Sequence, residues 1–277
     1  MVFEPLAIQT VCMRTLPRSD QNSFKEKWNS AVTNRTTSWK KARKTQSTFE
    51  PQLKWNAECT AYTDALWEKI RPSKPGDEWS ALPLDWPFEG PGFEPPTFMH
   101  YQRRQVASQC NPEWLCIKSL KILHQVFFPF IARCPNCRTR NVRSNGWTAT
   151  GHREVHGLHS EECVIGVQFR CMDCAAKREA GGSGDLDEKY CFSTTNPEFW
   201  QKVSLWDIPR ESHNLHDLSD LLTSSPGGVP HLFHRSAVTS ELFDYVVECR
   251  LSENSARIAE HVKRVYYVAD RSCAMLT

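Results

Sequence analysis

Two pairs of cysteines carry the clearest chemistry in the chain: Cys134-Pro-Asn-Cys137 and Cys171-Met-Asp-Cys174. Cysteines three positions apart let one tight turn aim both sulfurs at a single ion, and two such turns supply a closed tetrahedral set of four thiolates. Zinc suits that set because it is redox-inert and at home in structural four-cysteine sites. A redox C-x-x-C needs only one pair, and an iron–sulfur cluster fits the paired-turn spacing less well. The 33 residues between the pairs exceed the usual 15–20, which a hairpin insertion would explain. We therefore expect one structural zinc ion held by Cys134, Cys137, Cys171 and Cys174. A closed site keeps no open position, so catalysis is not expected there. His152, His156, His159 and Cys163 lie in the spacer and could hold a second ion, but partly packed histidines on a hairpin are the plainer reading.

Around the first knuckle, Arg133, Arg138, Arg140 and Arg143 occur with no acid among them. Guanidinium forks match phosphate oxygens, so this patch could grip a nucleic-acid backbone. Between Lys25 and Lys44, seven cations, including Lys40, Lys41, Arg43 and Lys44, face only Glu26, with Trp28 and Trp39 interleaved. That composition fits a nuclear localisation signal or a phosphate-binding arm, and equally a solvated helix face with two packing tryptophans. Near the carboxy terminus, Arg257, His261 and Arg264 line one face of a predicted helix. His213, His216, His231 and His234 lack a supporting frame, and no nucleophile-elbow, P-loop or dinucleotide motif occurs.

The elements that position these residues follow from periodicity. Leu53, Cys59, Tyr62, Leu66 and Ile70 predict one helix over 50–70. Seven prolines between Pro72 and Pro96 exclude regular helix there, and the aromatics Trp79, Trp86, Phe88 and Phe93 predict an extended segment wrapped on a folded surface. Residues 113–131 read as a buried helix or strand, with His124 as a core histidine. Val164–Arg170 predicts a strand running into the second knuckle, with 141–147 and 188–193 as its neighbours. A polar glycine loop is expected between Cys174 and Glu188. One helix is expected from Thr239, and a second is expected after Ser252 as N-cap, with Ile258, Val262 and Val265 facing inward. Two helices joined by a short turn match a helix-turn-helix outline, with a plain helical hairpin as the alternative.

The expected fold is α+β: a small antiparallel zinc-ribbon sheet with flanking helices, including a carboxy-terminal helical pair. The expected divisions are a basic, poorly ordered arm over 1–49, a helix with a Pro/Trp-rich wrap over 50–112, the zinc ribbon over 113–195, and a helical segment over 196–277. A net charge of +2, from 34 Lys and Arg against 32 Asp and Glu, argues against wholesale coating of nucleic acid but is silent on patches. Twelve cysteines in a chain of this length are too sparse for a disulfide scaffold. No apolar run reaches transmembrane length, and Glu4 and Pro5 break the start of any signal peptide, so a nuclear or cytoplasmic location is expected.

Several stretches carry a resemblance. CPNC, a Gly-Trp step, a His-Gly-Leu turn, FRCMDC, FSTTNPEFW and HRSAVTSELFDYVV occur in that order, after the upstream ALWEKIRPSKPGDEWSALPLDWPFEGPG. Together they resemble an uncharacterised domain family of mushroom-forming fungi, similar to the zinc ribbons attached to transposase-like, mobile-element proteins. The resemblance covers roughly residues 50–268. It implies the same four cysteines as zinc ligands and a following segment often read as helix-turn-helix; it implies no established activity. Residues 211–228 interrupt the pattern as an insertion would, and the chain stops soon after Tyr267, where relatives continue. The expected function is thus a DNA-binding zinc module without its own catalytic centre. The alternatives are a structural or protein-interaction module, with a protein partner, and a truncated transposase or nuclease. Neither a membrane nor a small-molecule substrate is indicated.

Overall fold

The computed structural model describes residues 2–43, 49–71, 86, 90–96, 116–180, 190–203, 229–234, 236–250 and 254–263. The chain divides into two compact units, Met1–Ala132 with Gly146–His152, and Arg133–Asn145 with Arg153–Thr277. Helices and a mixed sheet make it α+β.

The first unit is built on α1 (Pro5–Arg14), α2 (Arg18–Ala42) and α3 (Glu50–Ile70). Proline opens α1, where a missing N–H costs nothing. The residues expected to form a poorly ordered arm are therefore largely helical. Trp28, Val32 and Trp39 recur on one stripe of α2 and are buried. Lys25, Lys27, Lys40 and Lys41, beside these tryptophans in the chain, are exposed, so the basic composition here largely describes the outer face of a packed helix. α3 matches its predicted bounds, with Leu53, Cys59, Tyr62, Leu66 and Ile70 all buried. Across the two helices, Arg35 pairs with Asp64, and the Trp28 indole donates to Glu58.

Tyr62 centres an aromatic core, 5.8 Å from Phe3, 5.7 Å from Trp86 and 6.2 Å from Phe93. Phe93 belongs to β1 (Gly92–Phe93), which pairs antiparallel with β2 (Leu120–Leu123). Of the proline-rich stretch, then, Trp86 and Phe93 are packed inward; residues 72–85 and 87–89 lie outside the described part. A short 3-10 turn follows at Pro129–Ile131. The 146–152 segment completes this unit. Trp147 stacks on His124 at 5.3 Å and donates to Asp64, and Trp39 donates to the Thr148 carbonyl. Gly151 has φ +73°, and a Cβ there would meet the Trp39 ring at 3.0 Å.

In the second unit, β4 (Arg153–His156) pairs antiparallel with β5 (Glu161–Cys171), and β5 with β6 (Cys191–Ser193). β3 (Val142–Trp147) leaves the first knuckle. The turn between β4 and β5 needs Gly157, where a Cβ would lie 2.3 Å from the Ser160 carbonyl oxygen. Cys163, Val164, Ile165 and Val167 are all buried, so β5 is covered on both faces and reads as a continuous apolar run. β7 (His231–Leu232) and β8 (Ala237–Val238) form an antiparallel pair, and β8 lies parallel to β4, with Val155 opposite Ala237. The sheet is mixed, which corrects the expectation of a purely antiparallel one.

Among the described residues, four helices accompany it. α4 (Met172–Glu179) starts inside the second knuckle, so the expected glycine loop is helical through Glu179. α5 (Pro197–Val203) packs Phe199 against Phe192, the rings 5.5 Å apart and stacked. α6 (Ser240–Cys249) is capped by the Thr239 hydroxyl, which accepts from the Leu242 N–H at 3.2 Å. A further helix occupies 255–263. Asn254 caps it, its side-chain oxygen accepting from the Arg257 N–H at 3.0 Å. Ile258 is buried as expected. The readings at 211–228, Ser252 and Val265 lie outside the described residues. No helix among the described residues is long and apolar enough to cross a membrane.

Candidate metal centre

The first knuckle is a closed hairpin turn. The Cys134 N–H donates to the Thr139 carbonyl and the Arg138 N–H to the Cys134 carbonyl, each at 2.9 Å. Arg138, directly after Cys137, has φ +60°. The second knuckle is a strand-to-helix corner. Cys171 ends β5 and acts as N-cap of α4, its sulfur accepting from the Cys174 N–H at 3.4 Å. The two turns are tied together: the Met172 N–H donates to the Asn141 carbonyl at 3.0 Å, and the Asn141 side chain donates to Asp173 at 2.6 Å. Hydrogen bonds from Thr139 and Asn141 hold the Asp173 carboxyl below its usual range.

This framework brings all four predicted sulfurs within 4.8 Å of one another. Cys134 and Cys174 are 3.7 Å apart, and Cys137 is 3.5 Å from both Cys171 and Cys174. A tetrahedral ion with metal–sulfur bonds of about 2.3 Å places its sulfurs about 3.8 Å apart, so the donor set fits one such ion. The same distances exclude disulfides, whose sulfurs bond at about 2.05 Å. Cys134, Cys171 and Cys174 are buried beside Val142, Tyr190 and Phe192, while Cys137 faces solvent. Burial pushes the Cys134 thiol up to about 11 and raises Cys174 as well. At Cys137 burial also raises, but the Thr139 backbone and neighbouring thiols outweigh it, and the net shift is downward. Four thiolates this close require a cation to offset their charge.

Of the predicted phosphate-contacting residues, Arg138, Arg140, Arg143 and Arg257 are exposed in the second unit. Arg133 sits close enough to Arg140 to be affected by its charge; burial, then that charge, lowers its pKa. Lys202 reaches over the knuckle from α5 and donates to Asn136 at 2.5 Å. In the first unit, Lys41 is exposed and Lys40 pairs with Glu50 at 2.5 Å. Arg43 corrects its reading as a free contact. It is buried, donating to the Thr150 carbonyl at 2.8 Å and lying 3.1 Å from His152 Nε2. A guanidinium only donates, so that nitrogen accepts. Lys44 and Arg264 lie outside the described residues.

The spacer residues do not assemble. His152 is buried against Arg43 and Asn56, His156 lies 3.3 Å from Glu161, and His159 lies 3.3 Å from Glu241. Among the described residues, the four cysteines are the one group of three or more side chains placed to share an ion. Sequence reasoning missed Arg170 and Arg178, which flank the second knuckle and close on the Tyr190 ring. Their signal was positional: Arg170 precedes Cys171, and Arg178 follows Cys174 by one helical turn. The chain matches no family model, no curated protein and no solved structure.

Proposed function

We propose that this chain is a zinc-ordered DNA-binding module of mobile-element origin, acting in the nucleus without a catalytic centre of its own. Zinc is the ion of choice for four thiolates at tetrahedral spacing in two C-x2-C turns. The knuckle hairpin with β5 and β6 then reads as a ribbon-type site whose second turn opens into α4. The observation that carries the reading is the arginine surface on the metal-held turn. Arg138, Arg140 and Arg143 are exposed there, with no ion pair among the described residues. Guanidiniums fixed by such a turn suit phosphate contacts, and the helices at 240–249 and 255–263, with Arg257 exposed, add a helix-turn-helix-like element.

The test is fluorescence anisotropy of a labelled duplex with the zinc-loaded chain at rising salt. Affinity should fall with a log–log slope of about −0.9 per phosphate contacted, and Arg140→Gln with Arg143→Gln should flatten that slope by roughly two contacts. Absence of binding at low salt rejects the reading. A protein-interaction module is the second reading. It is favoured by Phe233 and Val247, large apolar side chains that are 46% and 49% exposed.

A further inference from the structure

Tyr190 packs against the cysteine cluster, and two guanidiniums close on its ring. Arg170 lies 5.1 Å and Arg178 5.5 Å from the ring centroid. They come from β5 and α4, the two elements that meet at the second knuckle, so the turn that holds Cys171 and Cys174 also sets this pair. The two cations lie no more than about 11 Å apart, near the Debye length of about 10 Å at 0.1 M salt, so they repel. Each cation–aromatic contact returns little at an exposed site.

Among the described residues, neutralisation of the pair is incomplete. Glu179 stands 3.6 Å from Arg170, with its own side chain 74% exposed. That distance is longer than a charge-assisted hydrogen bond of about 2.7–2.9 Å, and exposed pairs contribute little. Lys177 adds a further cation on α4. The Arg170 Nε–H is buried and has no acceptor among the described residues, although its side chain as a whole is 39% exposed. Two planar forks, beside one ring and short of acceptors among the described residues, present a surplus of donors at a partly open surface.

We infer that Arg170, Tyr190 and Arg178 form a phosphate-binding site. Its chemistry is a phosphate oxyanion accepting from two guanidiniums, whether the phosphate is free or part of a polynucleotide backbone. It stands on its own geometry and survives if the duplex reading fails.

The experiment uses the zinc-loaded full chain. Side-chain Nε–Hε resonances of arginine are followed while inorganic phosphate is added, with acetate at equal ionic strength as control. Saturable shifts at Arg170 and Arg178 are expected. Arg178→Gln should weaken phosphate binding about tenfold, the equivalent of about 1.4 kcal/mol. Glu179→Gln should strengthen it by releasing Arg170. Arg178→Lys retains charge without the fork and guards against a folding artefact, as does the zinc content of each variant. A single-stranded oligonucleotide then separates the sources. Competition with inorganic phosphate identifies a backbone site, and indifference identifies free phosphate. Shifts no larger than with acetate, or shifts unchanged in Arg178→Gln, overturn the proposal.

Discussion

Arg138 meets two opposed demands. The hairpin after Cys137 holds it at φ +60°, in the left-handed region, where a side chain costs about 1–2 kcal/mol relative to glycine. Its guanidinium, however, is exposed on the surface proposed to contact phosphate. Arg138→Gly is therefore expected to raise stability by about 1 kcal/mol in denaturant unfolding while weakening duplex binding. A loss of stability would show that the guanidinium itself holds the turn. His124 makes a second prediction at this scale. Burial first, and the Arg35 charge second, lower its pKa to about 3, and its Nδ1 accepts from the Val126 N–H at 3.1 Å. The unfolded chain takes up a proton near the ordinary value of 6.5, so between these limits it holds one more proton than the folded chain. This contribution is whole above pH 6.5 and is lost as pH falls toward 3, at about 1.4 kcal/mol per pH unit for one proton. Urea unfolding between pH 4 and 7 should be about one proton less steep in His124→Phe than in wild type. Equal slopes would place the titration elsewhere.

At the scale of elements, α2 tests whether its tryptophans are packing groups or parts of a loose arm. Trp39 is buried, its indole N–H donates to the Thr148 carbonyl at 3.1 Å, and its ring leaves no room for a side chain at Gly151. Trp39→Ala should cost about 3–5 kcal/mol, the usual range for a large core aromatic; an arm residue would cost almost nothing. Thermal unfolding followed by circular dichroism decides between them. The contrast with α3 explains what the sequence could show. In α3 the positions 53, 59, 62, 66 and 70 are apolar at helical spacing, and all are buried. In α2 the buried hydrophobic residues are Trp28, Val32 and Trp39, and polar and charged residues dominate the rest of its composition. β5 was legible as a continuous apolar run, and β3 and β6 as its flanking segments. The parallel pairing of Val155 with Ala237 was not. β7 and β8 have two residues each, too short to display an alternation, and their partner lies some eighty positions away in the chain. The cysteine site was legible because ligand spacing is local within each knuckle. The start of α4 at Met172 was masked by the glycines that follow it.

For the molecule as a whole, the two units have different sources of order. The first unit is built around fully buried Phe3, Tyr62, Leu66 and Phe93. The second contains the sulfur cluster, which joins chain segments 33 residues apart. An ion held there contributes folding free energy, because the unfolded chain offers no preformed site. Its effect should be greatest where the backbone depends on the knuckles: the Arg138 N–H bonded to the Cys134 carbonyl, and the Cys174 N–H bonded to the Cys171 sulfur. Chelation, or Cys134→Ser with Cys171→Ser, should remove about one metal ion per chain. It should also speed hydrogen exchange in peptides spanning 133–145 and 163–179 by at least about a hundredfold, equivalent to some 2.7 kcal/mol. Peptides from α3 should keep their protection, since Leu53, Tyr62 and Leu66 owe their burial to aromatic and aliphatic neighbours in their own unit. If α3 loses protection to the same degree, the metal's free energy is shared by the whole chain, and the division into separately ordered units fails. If neither segment responds, the four sulfurs hold no structural ion, and the arginine surface on the first knuckle loses the support on which the DNA reading rests.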